Sequence, residues 1–506
     1  MWDVLLLSTW TEPVFVSPSY QLIRDELSAR ARVLAPQRLA GFMNRHSDRV
    51  SEYADMIPYQ THYPYCPGLL SVAGSLQEAG FSVRCVSLDV EKELRQSKEW
   101  LSESIADLTS QTRIAVGVSA VTPEINRALT VLGQVRQAKP ALKTMIGGTH
   151  VTYCDAAAAV HPGVDVVVRG EGETTAVSLV QRWSQGAPAE DIDGTTIAKG
   201  SSVHRNPDRG LVDLTTLPMP AYELLDAQTR TRVHVTPTYS RGCPFHCNYC
   251  VESSFWNRRV RHKNAAAFVD ELEVIAERLN WRYIHIADST FGIDRAATAA
   301  LCDELEARRI DAVFSINVRP DVFSYLGEEL VRRLVALNFV EFYMGMETAD
   351  EQLLKTLERR QDEERLKAAL VKLKSLGVPF VKLYLVVGFP GDTHGGLQRT
   401  INRIRAFLEE GLIYYATGKY FVPAPGTIYS EEGAVSMNTV QWDRFERYQF
   451  PPIVEHEQLS PLELEQYLQL LQAVQLGYYR KLAPDPTEYA RLSDWAQKHY
   501  LPRVYL

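Results

Sequence analysis

Short apolar runs recur along the first third of the chain, at Val4–Leu7, Val83–Leu88, Ile114–Val118, Thr144–Ile146 and Val164–Val168, with helix-length amphipathic stretches between them. A run of four to eight apolar residues bounded by turn signals reads as a strand buried on both faces, and its alternation with helices predicts βαβ units around a doubly wound parallel sheet. A second series follows at Val233–Tyr239, Tyr283–Ala287, Ala312–Ile316, Glu341–Met344, Val378–Val387 and Ala416–Val422. Six consecutive βα units predict a partial (β/α)6 barrel, with its active-site candidates just past the strand ends. Past Gln441, apolar residues at helical intervals (Leu462, Leu464, Tyr467, Leu468, Leu471) predict a helical tail. The expected layout is a first domain over 1–180, a connector over 181–233 that ends in the stiff Leu217–Pro–Met–Pro–Ala–Tyr222 tether, a barrel over 234–435 and a helical region over 436–506.

With 506 residues the chain exceeds what a single core serves, in keeping with several domains. A formal net charge of -8 removes the general electrostatic pull toward nucleic acid. No apolar run is long enough for a membrane span, and the N-terminal Met1–Trp–Asp–Val lacks the basic start of an export signal. The expectation is therefore a cytoplasmic protein with neither a nucleic acid nor a membrane as partner, acting on a small-molecule or peptide substrate. Four of the seven cysteines (Cys66, Cys85, Cys154, Cys302) are scattered, so no disulfide framework is indicated.

In open parallel sheets ligands meet the carboxyl edge of the strands. Here that edge carries Gly117, Ser119 and Thr122, then Gly147, Gly148, Thr149 and His150, then Gly170, Glu171 and Gly172. Glycines there either let backbone approach a bulky ligand or only make tight strand-to-helix turns. The segment Trp10–Tyr65, long for a βα connection and rich in aromatics, is either a peripheral helical insertion or a cap over the ligand edge. In the second domain the first strand runs into Ser240–Arg–Gly–Cys–Pro–Phe–His–Cys–Asn–Tyr–Cys250, a Cys-x3-Cys-x2-Cys spacing. Three thiolates so close in sequence can each hold one corner of an iron–sulfur cluster and leave a fourth iron without a protein ligand. Structural zinc is the alternative, but it wants four ligands, and His246 lies too close to Cys247 for a tetrahedral bite.

This loop, with Arg241–Gly242 before it and Tyr249 before its last cysteine, resembles the radical S-adenosylmethionine (radical SAM) superfamily. Val116–Gly–Val–Ser–Ala–Val–Thr122, Ile146–Gly–Gly–Thr–His150, Val168–Arg–Gly–Glu–Gly–Glu173 and the turn at Tyr65–Cys–Pro–Gly68 resemble the binding domain of its cobalamin-dependent branch. The resemblance implies a Rossmann-like cobalamin-binding domain, a TIM-type radical SAM barrel, and three cofactors: a 4Fe-4S cluster, S-adenosyl-L-methionine and cobalamin. It implies that Cys243, Cys247 and Cys250 hold the cluster and that backbone at Tyr249 meets the SAM adenine. Asp288 stands where the superfamily contacts the SAM amino group, Arg319 where a guanidinium would pair with its carboxylate, and Glu347 where a carboxylate meets its polar groups; a structural Arg319–Glu347 ion pair is the plainer reading. Ser119, Thr122, Gly147, Gly148, Thr149, His150, Gly170 and Glu171 would line the cobalamin site. The chain lacks the Asp-x-His-x-x-Gly string that supplies a lower cobalt ligand, which implies base-off cobalamin with no histidine on the metal. The implied activity is methylation of a poorly activated carbon, with an electron donor such as a flavodoxin or ferredoxin, and the alternative is cyclisation or rearrangement without methyl transfer. A tRNA methylthiotransferase is disfavoured, because a second cysteine triad and a basic β-rich tail are missing.

Overall fold

A computed structural model describes residues 1–9 and 63–482, apart from 65, 96, 201, 231–232, 280, 282, 431–433, 436–441, 446 and 448. The expected insertion or cap over Trp10–Tyr65 thus lies almost wholly outside the described residues, as does the tail beyond Leu482.

Among the described residues the first sheet has seven strands: β1 (Trp2–Ser8), β2 (Val83–Ser87), β3 (Thr112–Ser119), β4 (Lys143–Gly147), β5 (Val166–Val168), β6 (Thr195–Lys199) and β7 (Ser202–Arg205). Their order is β2-β1-β3-β4-β5-β6-β7, parallel through β5 and antiparallel at β6 and β7. All five predicted strands are present. Because side chains alternate along β1, Leu5 and Leu7 pack with Val86, Ile105 and Val131 on one face. Val4 and Leu6 pack with Leu69, Leu70 and Leu76 of helix Pro67–Glu78 on the other, in a core that continues into the barrel. The 181–233 segment corrects the expectation of a bare connector. Its Thr195–Arg205 hairpin extends the sheet, and Tyr222 of the supposed tether is buried with its hydroxyl donating to Glu271 at 2.6 Å.

The second sheet runs in sequence order: β8 (Tyr283–Ile286), β9 (Val313–Val318), β10 (Phe339–Glu347), β11 (Phe380–Val387) and β12 (Tyr415–Tyr420), all parallel. The sixth expected unit, the first in sequence, is present only as an edge segment. The Ala287 N–H donates to the Pro237 carbonyl at 2.8 Å, while Val233–His234 pairs with Tyr63–Pro64. Pro237 has no N–H to continue a ladder, which explains the weakened strand. At the opposite edge, helix Pro461–Leu482 covers β12. Gln475 donates to the Ala416 carbonyl at 2.9 Å and accepts from its N–H at 2.7 Å, satisfying backbone that an open sheet would leave unpaired. Leu464, Leu468 and Leu471 of this helix are buried as expected, whereas Leu462 is exposed.

Candidate functional site

The cysteine loop leaves the sheet through a two-residue antiparallel ladder, Ser240–Arg241 against Arg261–His262. Gly242 follows at φ 113°, where a Cβ would stand 1.9 Å from the Arg259 carbonyl oxygen, so only glycine permits this turn. Beyond it Cys243, Cys247 and Cys250 line one cavity of about 310 Å³ at the carboxyl ends of β9–β12. Burial pushes the Cys243 thiol above its ordinary range and the Cys250 thiol up to about 12. Such thiols ionise when a metal takes the place of the proton. The Cys247 sulfur accepts from two guanidinium groups, Arg319 Nη1 at 3.5 Å and Arg359 Nη1 at 3.8 Å. Among the described residues no three His, Cys, Asp or Glu side chains converge tightly enough to hold one metal ion. Three thiols sharing one cavity can each bind one iron of a multi-iron cluster, whereas structural zinc wants a fourth ligand.

The remaining sequence candidates divide. Tyr249 lines the cavity, its ring edge-on to Phe389 and its hydroxyl accepting from Arg359 Nη1 at 3.3 Å. Glu347 lines it too, in a left-handed conformation (φ 62°) at the end of β10. Its ion-pair partner is Arg359, at 3.5 Å, which rules out the alternative of a structural Arg319–Glu347 pair. Arg319 is turned to Asp321, bonding both carboxylate oxygens at 2.9 and 3.0 Å, and stacks 3.8 Å from the Phe245 ring centroid. It lines the cavity beside the three cysteines, as Tyr249 and Glu347 do, with its fork engaged by Asp321. Asp288 is a correction. Fully buried, it accepts from the Tyr239 N–H at 2.7 Å and from the Ser240 N–H and hydroxyl at 3.0 and 2.6 Å, so it clamps the start of the cysteine loop and does not line the cavity. Burial pushes its pKa up to about 6.

Arg359 is the residue that sequence reasoning missed. It is buried, donates to the Gly345 carbonyl at 2.8 Å as well as to Cys247 and Tyr249, and lines the cavity. Its Nε is buried without a hydrogen-bond partner among the described residues. A buried, unspent N–H on a cation beside a cavity is the feature expected where an anionic ligand group completes the site.

A second cavity, of about 360 Å³, opens at the carboxyl edge of the first sheet, where the strand order reverses between β1 and β3. Ser119, Gly147, Gly148, Thr149, Gly170 and Glu171 line it, as expected. Gly148 has φ 108°, and a Cβ there would lie 2.4 Å from the Ala120 carbonyl oxygen, so this edge stays backbone-lined. Cys66 joins the lining, its thiol 3.5 Å from the Ser119 hydroxyl. Thr122 and His150 do not: His150 Nδ1 lies 3.3 Å from Thr122 Oγ1, and its ring packs edge-on to Trp442 at 4.9 Å. Burial lowers the His150 pKa to about 4, so the ring is a neutral packing element. Glu171 touches the cavity, but its carboxylate is spent on the barrel, pairing with Arg241 at 2.7 Å and Arg261 at 2.8 Å, while Glu173 pairs with Arg241 at 2.7 Å. The two cavities share a wall. Glu252 and Ser253 line the first, and Phe255 and Trp256 a few residues on line the second.

A doubly wound binding domain set edge to edge with a three-thiol partial barrel defines a two-cofactor enzyme in which a cluster site and a large flat-ligand site adjoin. The family models agree with that division. Residues 61–180 match the B12 binding domain and residues 238–404 the radical SAM superfamily. The chain is 25% identical over 373 residues to an uncharacterized methyltransferase of Pyrococcus horikoshii, covering 72% of this chain and 78% of that one. It is 27% identical over 363 residues to the anaerobic magnesium-protoporphyrin IX monomethyl ester cyclase of Rubrivivax gelatinosus, covering 69% of this chain and 63% of the cyclase. The structure of the radical S-adenosylmethionine methyltransferase TsrM from Kitasatospora setae, with cobalamin and a [4Fe-4S] cluster bound, matches with a TM-score of 0.64 at 15% identity over 96% of this chain and 92% of that one. The chain thus joins a B12 binding domain to a radical SAM domain, and cobalamin, SAM and a 4Fe-4S cluster are the cofactors that these two domains take.

Proposed function

We propose that the protein methylates an unactivated carbon of a small-molecule or peptide natural-product intermediate. The wall shared by the two cavities carries this reading, because it sets a site for C–H opening beside a site for a methyl carrier. When bound, the cluster with SAM supplies a radical able to open a C–H bond, and cobalamin supplies a transferable methyl group.

The chain's own residues divide the supporting work. Cys243, Cys247 and Cys250 hold the cluster, and Arg319 and Arg359 hydrogen-bond the Cys247 sulfur and steady its position. Arg359 and Glu347 offer opposite charges to the SAM carboxylate and amino groups, and Tyr249 borders the adenosyl moiety. Ser119, Gly147, Gly148, Thr149 and Gly170 would border the cobalamin, and the described lining residues of that cavity include no histidine. Because the cluster must be reduced, a flavodoxin- or ferredoxin-type donor is the expected partner. Among the described residues no helix is long and apolar enough to cross a membrane.

The test is a tally of SAM-derived products. If one SAM gives its methyl group and another its adenosyl radical, S-adenosylhomocysteine and 5'-deoxyadenosine accumulate in near-equal amounts, each matching methylated product. Both vanish when the three cysteines are replaced by Ala. The cyclase relatives favour a second reading, cyclisation without net methyl transfer. It gives deoxyadenosine with no matching S-adenosylhomocysteine and no methyl label in the product.

A further inference from the structure

The two cavities meet at one short helix, Val251–Phe255, which follows directly on the last cysteine of the triad. Glu252 and Ser253 line the first cavity. Ser254 lies at the junction of the domains, where its hydroxyl donates to the Gly426 carbonyl at 3.0 Å and stands 2.9 Å from the hydroxyl of Tyr153 in the binding domain. Tyr153 is seated closely on Gly426, where a Cβ would stand 2.4 Å from its ring. Trp256, just past the helix, lines the second cavity, and its indole Nε1 reaches back one turn to donate to Glu252 Oε2 at 2.8 Å. The Ser289 hydroxyl donates to the same oxygen. The Glu252 carboxylate is therefore fixed on the wall between the cavities, and through only one of its oxygens.

Its other oxygen, Oε1, is unspent: among the described residues it accepts no hydrogen bond, and no basic side chain pairs with the carboxylate. The other charges that line the first cavity are all engaged. Arg319 pairs with Asp321 and Arg359 with Glu347. Lys419 lies over the Tyr384 ring at 5.6 Å, and it and Arg447 each have a partner of their own. Glu252 is thus the one lining charge without a counter-charge among the described residues. A carboxylate drawn partly out of water regains its lost hydration best from a charged donor, and one already held by two donors loses little further freedom in binding it.

We propose that Glu252 Oε1 receives a protonated amine of the substrate. This rests on the methylation reading for the site and narrows the substrate to an amine-bearing small molecule or peptide. Carbon close to that amine then lies at the wall where the thiol side and the second cavity adjoin, which is where a methyl acceptor has to be. The amino group of SAM has the same chemistry, but Glu347 beside Arg359 already provides for it in the site described above.

The test uses protein reconstituted with iron, sulfide and cobalamin, in the presence of SAM at neutral pH, and two matched probe pairs: benzylamine against benzyl alcohol and tryptamine against tryptophol. Binding is followed by saturation-transfer NMR and equilibrium dialysis. At least one amine should bind about tenfold more tightly than its neutral partner, as a single charge-assisted contact allows. That preference should disappear in Glu252→Gln, which keeps an acceptor for Trp256 and Ser289 but removes the charge, while the affinity for labelled SAM stays as in the wild type. No preference in either pair for wild-type protein, or one that survives Glu252→Gln, overturns the proposal. A Gln variant that loses SAM affinity also overturns it and gives Oε1 to the SAM amino group. Iron and cobalamin contents are read on every sample. Iron lost from Glu252→Gln alone would make Glu252 a support of the cysteine loop, again overturning the proposal. Loss of both cofactors from wild-type protein would count against the two-cofactor reading, whereas their retention with no amine preference counts only against the amine site.

Discussion

Replacing Arg241 with Met removes the cation that joins the two domains at its most buried point. Glu171 and Glu173 retain side-chain exposures of only 3% and 4%, and each has an oxygen 2.7 Å from the guanidinium. Burial alone would raise the Glu173 carboxyl, yet the charge and hydrogen bonds of Arg241 and the bond from Ser71 hold it below its ordinary range. Breaking a buried ion pair by deleting one partner typically costs about 3–5 kcal/mol. Glu171 still has Arg261 at 2.8 Å, and Glu173 still has the Ser71 hydroxyl at 2.7 Å, which places the expected loss near the lower end, about 3 kcal/mol. The assay is urea denaturation of the anaerobically reconstituted protein. Adding Glu171→Gln and Glu173→Gln to Arg241→Met should recover most of the loss, because neutral amides cost less to bury than unpaired carboxylates. The pH dependence has a fixed sign. With its folded pKa depressed, Glu173 contributes stability that is present above its unfolded value of 4.5 and is lost as pH falls through the folded pKa below that value. A loss under about 1 kcal/mol for Arg241→Met, or a triple variant no more stable than the single one, would refute the view that this cluster clasps the domains.

Two further outcomes are expected. Arg359→Met should weaken SAM binding to the reconstituted cluster at least tenfold by equilibrium dialysis, with Arg359→Lys intermediate because a single ammonium cannot reach Gly345, Cys247 and the cavity together; wild-type SAM affinity in the Met variant would remove Arg359 from the site. His150→Phe should leave the cob(II)alamin electron paramagnetic resonance spectrum without axial nitrogen splitting, as in the wild type. It should also flatten the stability profile between pH 6.5 and about 4, because a histidine with a depressed folded pKa contributes stability above 6.5 that is lost as pH falls toward 4. Nitrogen splitting that disappears in this variant would instead make His150 a cobalt ligand.

Much of this architecture is legible in the chain because parallel strands buried on both faces leave continuous apolar runs. Nearly all of Phe339–Glu347 is buried, for example, and its central run is evident by inspection. The Thr195–Arg205 hairpin leaves no such trace. Its outer strand is half-buried to exposed, and Thr-Thr-Ile-Ala-Lys beside Ser-Val-His-Arg reads as a polar connector. The cysteine triad is legible for another reason: its ligands lie within one loop, so spacing along the chain stands in for spacing in space.

The site residues that reading misplaced share a cause, since a strand end shows which residues reach the ligand edge but not where each side chain turns. Asp288 follows a strand yet turns back to Tyr239 and Ser240, and Thr122 and His150 face each other outside the second cavity, whereas Arg319 does line the first. Arg359 lies twelve residues beyond the end of β10, past the short helix Glu351–Thr356, with no local signal for its role. What brings it in is the geometry at Glu347. A left-handed backbone at a non-glycine residue costs on the order of 1 kcal/mol, and it turns the Glu347 carboxylate toward the cavity at the point where Gly345, lacking a side chain, leaves room for a guanidinium. A Cβ on Gly345 would stand 2.7 Å from Arg359 Nη2 and 2.4 Å from Glu347 Oε1. Gly345, Glu347 and Arg359 therefore form one unit. The Gly-Met-Glu string in the sequence is the visible half of it, and the arginine is the half that only the folded chain supplies.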